Sequence, residues 1–334
     1  SARAVNVCAV LSFIIVGLIV FGLQYGAMSD IARSTAAGGT VRVNYGTLPV
    51  PGGFLTSDAF TSFIKIAILA AAAICLLIAP GYMKRKDMLR PEYSVLVMLS
   101  VLGMMLMVSA SNFLMLYVGL ELQSLALYVL AAFRRDTTRS SEAGLKYFVL
   151  GALASGLLLY GISLVYGFVG SLDYADIAKT ISAESVHPGA TVGMAFILAA
   201  LAFKISAAPF HMWTPDVYEG APTTVTAFFS VVPKLAGFAA LMQVLFVPFA
   251  QLANSWQPLI VVLAALSMIV GAFGAIGQTS IKRLLAYSSI GHVGFALMAL
   301  ATQSEKGIEA VLLYLVFYIV MSVGAFAVVL LMRR

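Results

Sequence analysis

Five ionisable side chains stand where an apolar sequence gives no structural reason for them: Glu121, Lys65, Lys146, Lys204 and Lys234 all fall inside long hydrophobic stretches. An ionisable group at the centre of a membrane-spanning helix costs ~2.5–3.5 kcal/mol on insertion scales. Nothing about folding requires that cost, so each residue is a candidate for function with a structural alternative beside it. Helical spacing puts Tyr117, Glu121, Ser124 and Tyr128 on one face, and a polar stripe of this kind faces protein or water rather than lipid. The alternative for Glu121 is a structural bond to a neighbouring helix, which an amide or hydroxyl would make at lower cost. Lys234 shares a face with Thr223, Thr226, Ser230 and Gly237 and follows Pro233. That proline frees a carbonyl one turn earlier and is expected to bend the helix, as in the broken mid-membrane helices of ion transporters. The alternative is a proline kink with the lysine paired to a structural carboxylate.

Lys204 precedes Pro209 by five residues, so an interruption is expected there. If helix resumes, His211 comes to the same side as Lys204. Snorkelling of Lys204 towards the aqueous surface remains open. For Lys146, close to the start of its stretch, snorkelling and function weigh equally. Lys65 lies seven residues beyond Asp58, about 10 Å along a helix, and reads as a paired or snorkelling lysine. His292, one turn beyond Ser288 and Ser289, titrates near neutrality when unperturbed. It reads equally as a relay or as a hydrogen-bonded core histidine. The chemistry that this set can do is proton transfer. Burial disfavours the charged form of a lysine and a nearby carboxylate restores it, so movement of the partner charge switches the protonation state. No cofactor is needed for that.

The elements that must carry these groups are membrane helices. The chain is 61% hydrophobic and 10% charged, against about 25% charged residues in soluble domains. Stretches long enough to cross a bilayer, which takes ~20 residues, run roughly over 4–26, 58–80, 93–110, 112–133, 143–170, 191–209, 221–249, 256–277, 283–301 and 308–332. The expected fold class is therefore an all-α polytopic membrane protein of about ten transmembrane helices. The first stretch is too long for a signal-peptide core and lacks a cleavage site, so it reads as a span. The segment 27–57 is the one long loop, and its Gly and Pro content argues against a compact fold. The sequence starts at Ser1 with no initiator Met and stops at Arg334 directly behind a span, so both ends read as cuts through a larger protein.

Other chemistry finds no support. Cys8 and Cys75 lie in separate stretches and form no CxxC pair. The three histidines have no metal spacing, and neither a Walker loop nor GxGxxG is present. The net charge of +6 is a matter of topology rather than nucleic acid. If ten spans alternate, one side receives twelve basic residues: Arg3, Lys84, Arg85, Lys86, Arg90, Arg134, Arg135, Arg139, Lys282, Arg283, Arg333 and Arg334. The other receives four: Arg33, Arg42, Lys179 and Lys306. The positive-inside rule puts the twelve, and both chain ends, in the cytoplasm.

Long motifs carry a resemblance. The run Gly-Leu-Glu-Leu-Gln-Ser-Leu at 119–125 resembles the fifth-helix motif of the antiporter-like subunits of proton-pumping NADH:quinone oxidoreductase, respiratory complex I. The run 202–227 is more specific, and its segment Val-Tyr-Glu-Gly-Ala-Pro-Thr-Thr at 217–224 is similar to the N branch of that family rather than to L and M. The runs 233–236 and 280–292 agree. The resemblance implies inverted repeats of five helices, each with an interrupted helix. On that basis 1–80 holds N-terminal helices and an outer loop, 93–249 the first repeat, and 256–334 part of the second. By motif, Glu121 corresponds to the partner of the broken-helix lysine, Lys204. Lys146 matches the lysine that modulates this pair, His211 the histidine after the break, and Lys234 the central lysine that passes protons onward. A family member is expected to have one helix before the first span and about three after the last, including a second broken helix whose lysine has no counterpart here. These residues therefore make half of a pathway. The resemblance further implies membrane-arm partner subunits, a lipid bilayer such as the bacterial inner membrane, and no nucleic acid. NAD, FMN, iron–sulfur clusters and quinone are expected in partner subunits, with none in this chain. A subunit of a multi-subunit sodium/proton antiporter is the alternative, and a scaffold that has lost pumping is a third reading.

Overall fold

A computed structural model describes residues 2–36, 53–181 and 187–332. Twelve α-helices occupy the described residues: α1 (Ala2–Ala36), α2 (Ala59–Arg85), α3 (Pro91–Val108), α4 (Phe113–Ala131), α5 (Thr138–Val169), α6 (Tyr174–Thr180), α7 (Pro188–Ile205), α8 (Thr214–Gly220), α9 (Thr223–Phe246), α10 (Ala253–Ile276), α11 (Ile281–Leu300) and α12 (Glu305–Met332). Ten of them are long and apolar enough to cross a membrane. The two that are not, α6 and α8, have seven residues each and were not foreseen, because hydropathy reports spans and not short helices at their ends. The first helix continues to Ala36, so the loop expected from residue 27 begins later. Arg42, Arg333 and Arg334 lie outside the described residues.

Local chemistry sets the helix boundaries. Asp58 caps α2 by accepting from the Thr61 amide at 2.7 Å, and the Asp58 amide in return donates to the Thr61 hydroxyl oxygen, a reciprocal capping box. Asn112 caps α4 through the Met115 amide. Pro91 and Pro188 occupy first-turn positions, where a missing N–H loses nothing. Pro233 sits inside α9, yet the helix runs unbroken from Thr223 to Phe246. Pro233 removes one backbone donor without interrupting α9, which neighbouring helices enclose.

That enclosure organises the fold. The membrane window of α9 is wholly buried, and α9 packs against α2, α3, α4, α7, α8, α11 and α12. Around it stand the antiparallel pairs α3–α4, α5–α7 and α10–α11. In a bilayer such pairs are held by close packing rather than by exclusion of water. At the α3–α4 crossing, a Cβ added to Gly103 would lie 2.4 Å from the Gln123 amide nitrogen and 2.7 Å from the Gly119 carbonyl. Gly161 and Gly193 repeat the arrangement between α5 and α7. The outer surface is apolar in the manner of lipid-facing helices, with Leu153, Phe273 and Ile276 turned outward. Basic turns gather at one end of the bundle, where Met88, Arg134, Arg139 and Lys282 line a single cleft and Arg85 donates to the Leu330 carbonyl.

Gly103→Leu is expected to force α3 and α4 apart and destabilise the protein by about 1–3 kcal/mol or more. A fall in melting temperature of the detergent-purified protein measures this, and an unchanged value would contradict the backbone contact.

Candidate functional site

The site is built where the chain stops being helical inside the bundle. Pro209 cannot donate a backbone hydrogen bond and disfavours helical conformation in the residue before it. α7 accordingly ends at Ile205, and Ser206 takes a left-handed conformation with φ of 66°. Turns follow to Trp213, then α8, then the Ala221–Pro222 link into α9. The loose backbone groups find partners. Trp213 donates its indole N–H to the Phe203 carbonyl at 2.9 Å, and the Ala208 amide donates to Ser267 Oγ of α10 at 2.8 Å. The interruption expected from Pro209 is present, four residues earlier than the apolar stretch ends.

Lys204 occupies the last turn of α7 and is 6% exposed. Its ammonium donates to Ser124 Oγ at 2.7 Å and lies 5.7 Å from the centre of the Tyr128 ring. Both partners belong to the polar face of α4 read from the sequence. Glu121, the third member of that face, is within electrostatic reach of Lys204, but no ion pair joins them. The lysine stem meets α4 at the level of Ser124, about one turn beyond the carboxylate. Glu121 Oε1 is shielded from solvent and accepts no hydrogen bond from the described residues.

Lys234 sits near the middle of α9, 2% exposed. Among the described residues no carboxylate pairs with it. Its ammonium donates to Ser289 Oγ of α11, whose hydroxyl lies 2.8 Å from the Tyr318 hydroxyl of α12. Tyr318 donates in turn to the Ser230 carbonyl at 2.9 Å. His292, one turn along α11, pairs its Nδ1 with the Tyr314 hydroxyl at 2.6 Å. An aromatic bridge spans the distance between the two lysines. Tyr128 meets Tyr147 edge to face at 4.9 Å, Tyr147 stacks on Trp213 at 4.5 Å, Trp213 meets Tyr218 at 6.4 Å, and Lys234 lies 5.9 Å from the Tyr218 ring. Tyr128 stands on the polar face read from the sequence, whereas Tyr147, Trp213, Tyr218 and Tyr318 escaped sequence reading, because an aromatic residue in an apolar stretch looks like ordinary core. The four-residue spacing of Tyr314 and Tyr318 was the available signal.

The remaining candidates lie elsewhere. Lys146 is 43% exposed on its side chain and bonds Asp216 and Glu142 at 2.8 Å each. It is thus separated from Glu121 and belongs to an open polar cleft of about 600 Å³ between α5, α8 and the 277–280 turn, where Arg283 also reaches Asp216. His211 is half-buried on the turn after α7, and its Nδ1 is shielded with no hydrogen-bond partner among the described residues. Lys65 is within electrostatic reach of Asp58, in keeping with its structural reading. Among the described residues no three His, Cys, Asp or Glu side chains converge as metal ligands would.

Residues 110–334, which carry both enclosed ammonium groups and the interrupted helix, match a family described as NADH:quinone oxidoreductase/Mrp antiporter, transmembrane. The chain belongs to that family. NADH-quinone oxidoreductase subunit N from Parvibaculum lavamentivorans is 56% identical over 283 residues, covering 85% of this chain and 59% of the relative. The chain thus spans about three fifths of the length of the curated relatives it matches. Among solved structures, respiratory complex I from Thermus thermophilus with bound aureothin contains a chain with a TM-score of 0.72 at 33% identity, covering 98% of this chain and 70% of that one. The Mrp complex from Dietzia sp. DQ12-45-1b gives 0.76 at 21% identity over 97% of this chain and 62% of that one, which speaks to fold alone.

Asp216 lies outside the spans, and its carboxyl is held below the ordinary value first by the hydrogen bond from Lys146. Partial burial opposes this and Arg283 adds to it. A depressed folded value means stability present above the unfolded value, about pH 4 for aspartate, and lost as pH falls through the folded one. The melting temperature of Asp216→Asn should therefore lie below that of the parent protein at neutral pH and converge with it in acid. Equal melting temperatures across the range would remove the cluster from the stability of the cleft.

Proposed function

We propose that this chain is a proton-translocating membrane subunit of an NADH:quinone oxidoreductase. The observation that carries the reading is the pair Lys204 and Lys234. Both ammonium groups are enclosed among helices, and both are held by hydroxyls rather than by ion pairs with carboxylates. A charge solvated by neutral groups is not locked by a partner, so its proton can leave when a neighbouring charge changes. Glu121, in electrostatic reach of Lys204, is the group whose charge sets that balance. Lys146 and Asp216 stand at the polar cleft, where protons enter. His211 sits at the turn after the break, and His292 receives protons beyond Lys234. In this reading Glu121, Lys146, Lys204, His211, Lys234 and His292 move protons, while the redox chemistry belongs to partner subunits that hold NAD, FMN, iron–sulfur clusters and quinone.

The same reading assigns residues 93–249 to a first five-helix repeat and 256–334 to part of a second. The basic turns face the cytoplasm of a bacterial inner membrane, with both ends of this chain on that side. The names of the relatives at 53–56% identity favour this over the second reading, a subunit of a sodium/proton antiporter, for which the Mrp likeness is the support. Co-purification separates the two: association with flavin and iron–sulfur subunits supports the first, and antiport without them the second.

Glu121→Ala and Lys204→Ala in the intact complex should each lower NADH-driven proton pumping about tenfold or more, read from quenching of a pH-sensitive dye in membrane vesicles. Pumping at the parent rate in both would sink the site assignment.

A further inference from the structure

Lys234 carries three donors and no acceptor, which fixes the direction of the hydrogen bonds around it. Ser289 Oγ accepts from the ammonium, and because the Tyr318 proton is spent on a backbone carbonyl, Ser289 is the donor in its 2.8 Å contact with the Tyr318 oxygen. The Tyr318 proton is then directed at the Ser230 carbonyl at 2.9 Å. All three bonds run one way, from an ammonium to a backbone carbonyl, and a carbonyl does not take up a proton. The chain of bonds is complete for holding the charge and incomplete for moving it. On the other side of Tyr318 stands His292, with ring centroids 5.4 Å apart, and His292 is itself oriented by Tyr314. The slot enclosed between Lys234, His292, Tyr314 and Tyr318 measures about 10 Å³, at the lower bound of what holds one water. The Ser289 and Tyr318 hydroxyls are the protein groups that stand along this slot between Lys234 and His292.

We propose that Ser289 and Tyr318 are proton-transfer residues that join Lys234 to His292, with the Tyr318 hydroxyl moving between the Ser230 carbonyl and the imidazole. This rests on the proton-translocating reading and extends it. In the step, an N–H bond of Lys234 breaks and its proton forms an O–H bond on Ser289. The original Ser289 proton passes to Tyr318, and the original Tyr318 proton passes to Nε2 of His292. Three bonds break and three form, no electrons change hands, and the products are a neutral lysine and an imidazolium. Nε2 is free to accept when Nδ1 carries the ring hydrogen and donates it to the Tyr314 hydroxyl. Tyr314 is thus a positioning residue that selects the tautomer. Rotation of the two hydroxyls resets the chain.

The test uses the intact complex in membrane vesicles, with assembly followed by native gel and NADH-driven pumping by dye quenching. Tyr318→Phe keeps the ring packing and removes only the hydroxyl, and Ser289→Ala and Ser289→Thr remove and retain the other hydroxyl. Lys234→Ala is the reference. Pumping about tenfold lower in Tyr318→Phe and Ser289→Ala, with recovery in Ser289→Thr, supports the relay, since packing alone would not distinguish threonine from alanine in this way. If Lys234→Ala impairs pumping while Tyr318→Phe and Ser289→Ala pump like the parent, the relay is overturned and the wider reading stands. If Lys234→Ala also pumps normally, the wider reading fails with it. Should Tyr318→Phe not assemble, the Ser289 pair decides: loss in alanine with recovery in threonine supports the relay, and parent-like pumping in alanine overturns it.

Discussion

An ammonium group on a helix with no surface to lipid or water has to be solvated by protein. Lys234 is placed in that position: α9 is enclosed along its whole membrane window, and no lysine stem is long enough to reach the aqueous surface from its middle. The surrounding helices answer this demand with the Ser289 hydroxyl of α11, itself bonded to Tyr318 of α12, and with the face of the Tyr218 ring. Each of these groups stabilises a cation weakly enough to release it. A carboxylate at the same distance would hold it fast. The packing of α9 against its neighbours, the glycine contacts that let helix pairs approach, and the enclosed charge are thus parts of one arrangement, because the charge keeps its environment only while the helices stay close.

The exposed charges differ from the buried ones. Lys146, Asp216, Glu142 and Arg283 form an exposed network of direct ion pairs in an open cleft. Lys204 and Lys234 are buried and have none among the described residues. Surface pairs of this sort contribute little to stability, and their geometry is set by water as much as by protein. The step from cleft to interior is a step from carboxylate to hydroxyl partners.

Much of this was legible in the sequence. Charge inside apolar stretches located Lys204 and Lys234, helical spacing found the Tyr117–Tyr128 face of α4, and Pro209 located the interruption. What the sequence left open has physical causes. Proline removes one hydrogen bond but does not say whether the helix stops, so Pro209 and Pro233 read alike although α7 ends before the first and α9 runs through the second. Sequence depth does not say which way a side chain turns, so Lys146 read equally as snorkelling and as functional, and its side chain opens to a cleft. Tyr318 and Ser289 belong to different helices, and their meeting at Lys234 depends on tertiary packing that no local pattern encodes.

The interruption after α7 has an electrical side as well. Peptide dipoles add along a helix to leave about half a negative charge at its C-terminal end. Lys204 lies in the final turn before that end. A helix running straight on through Pro209 would have moved this pole more than a turn away. By stopping at Ile205 the backbone brings its own partial negative charge to the turn that carries Lys204, a contribution that does not titrate.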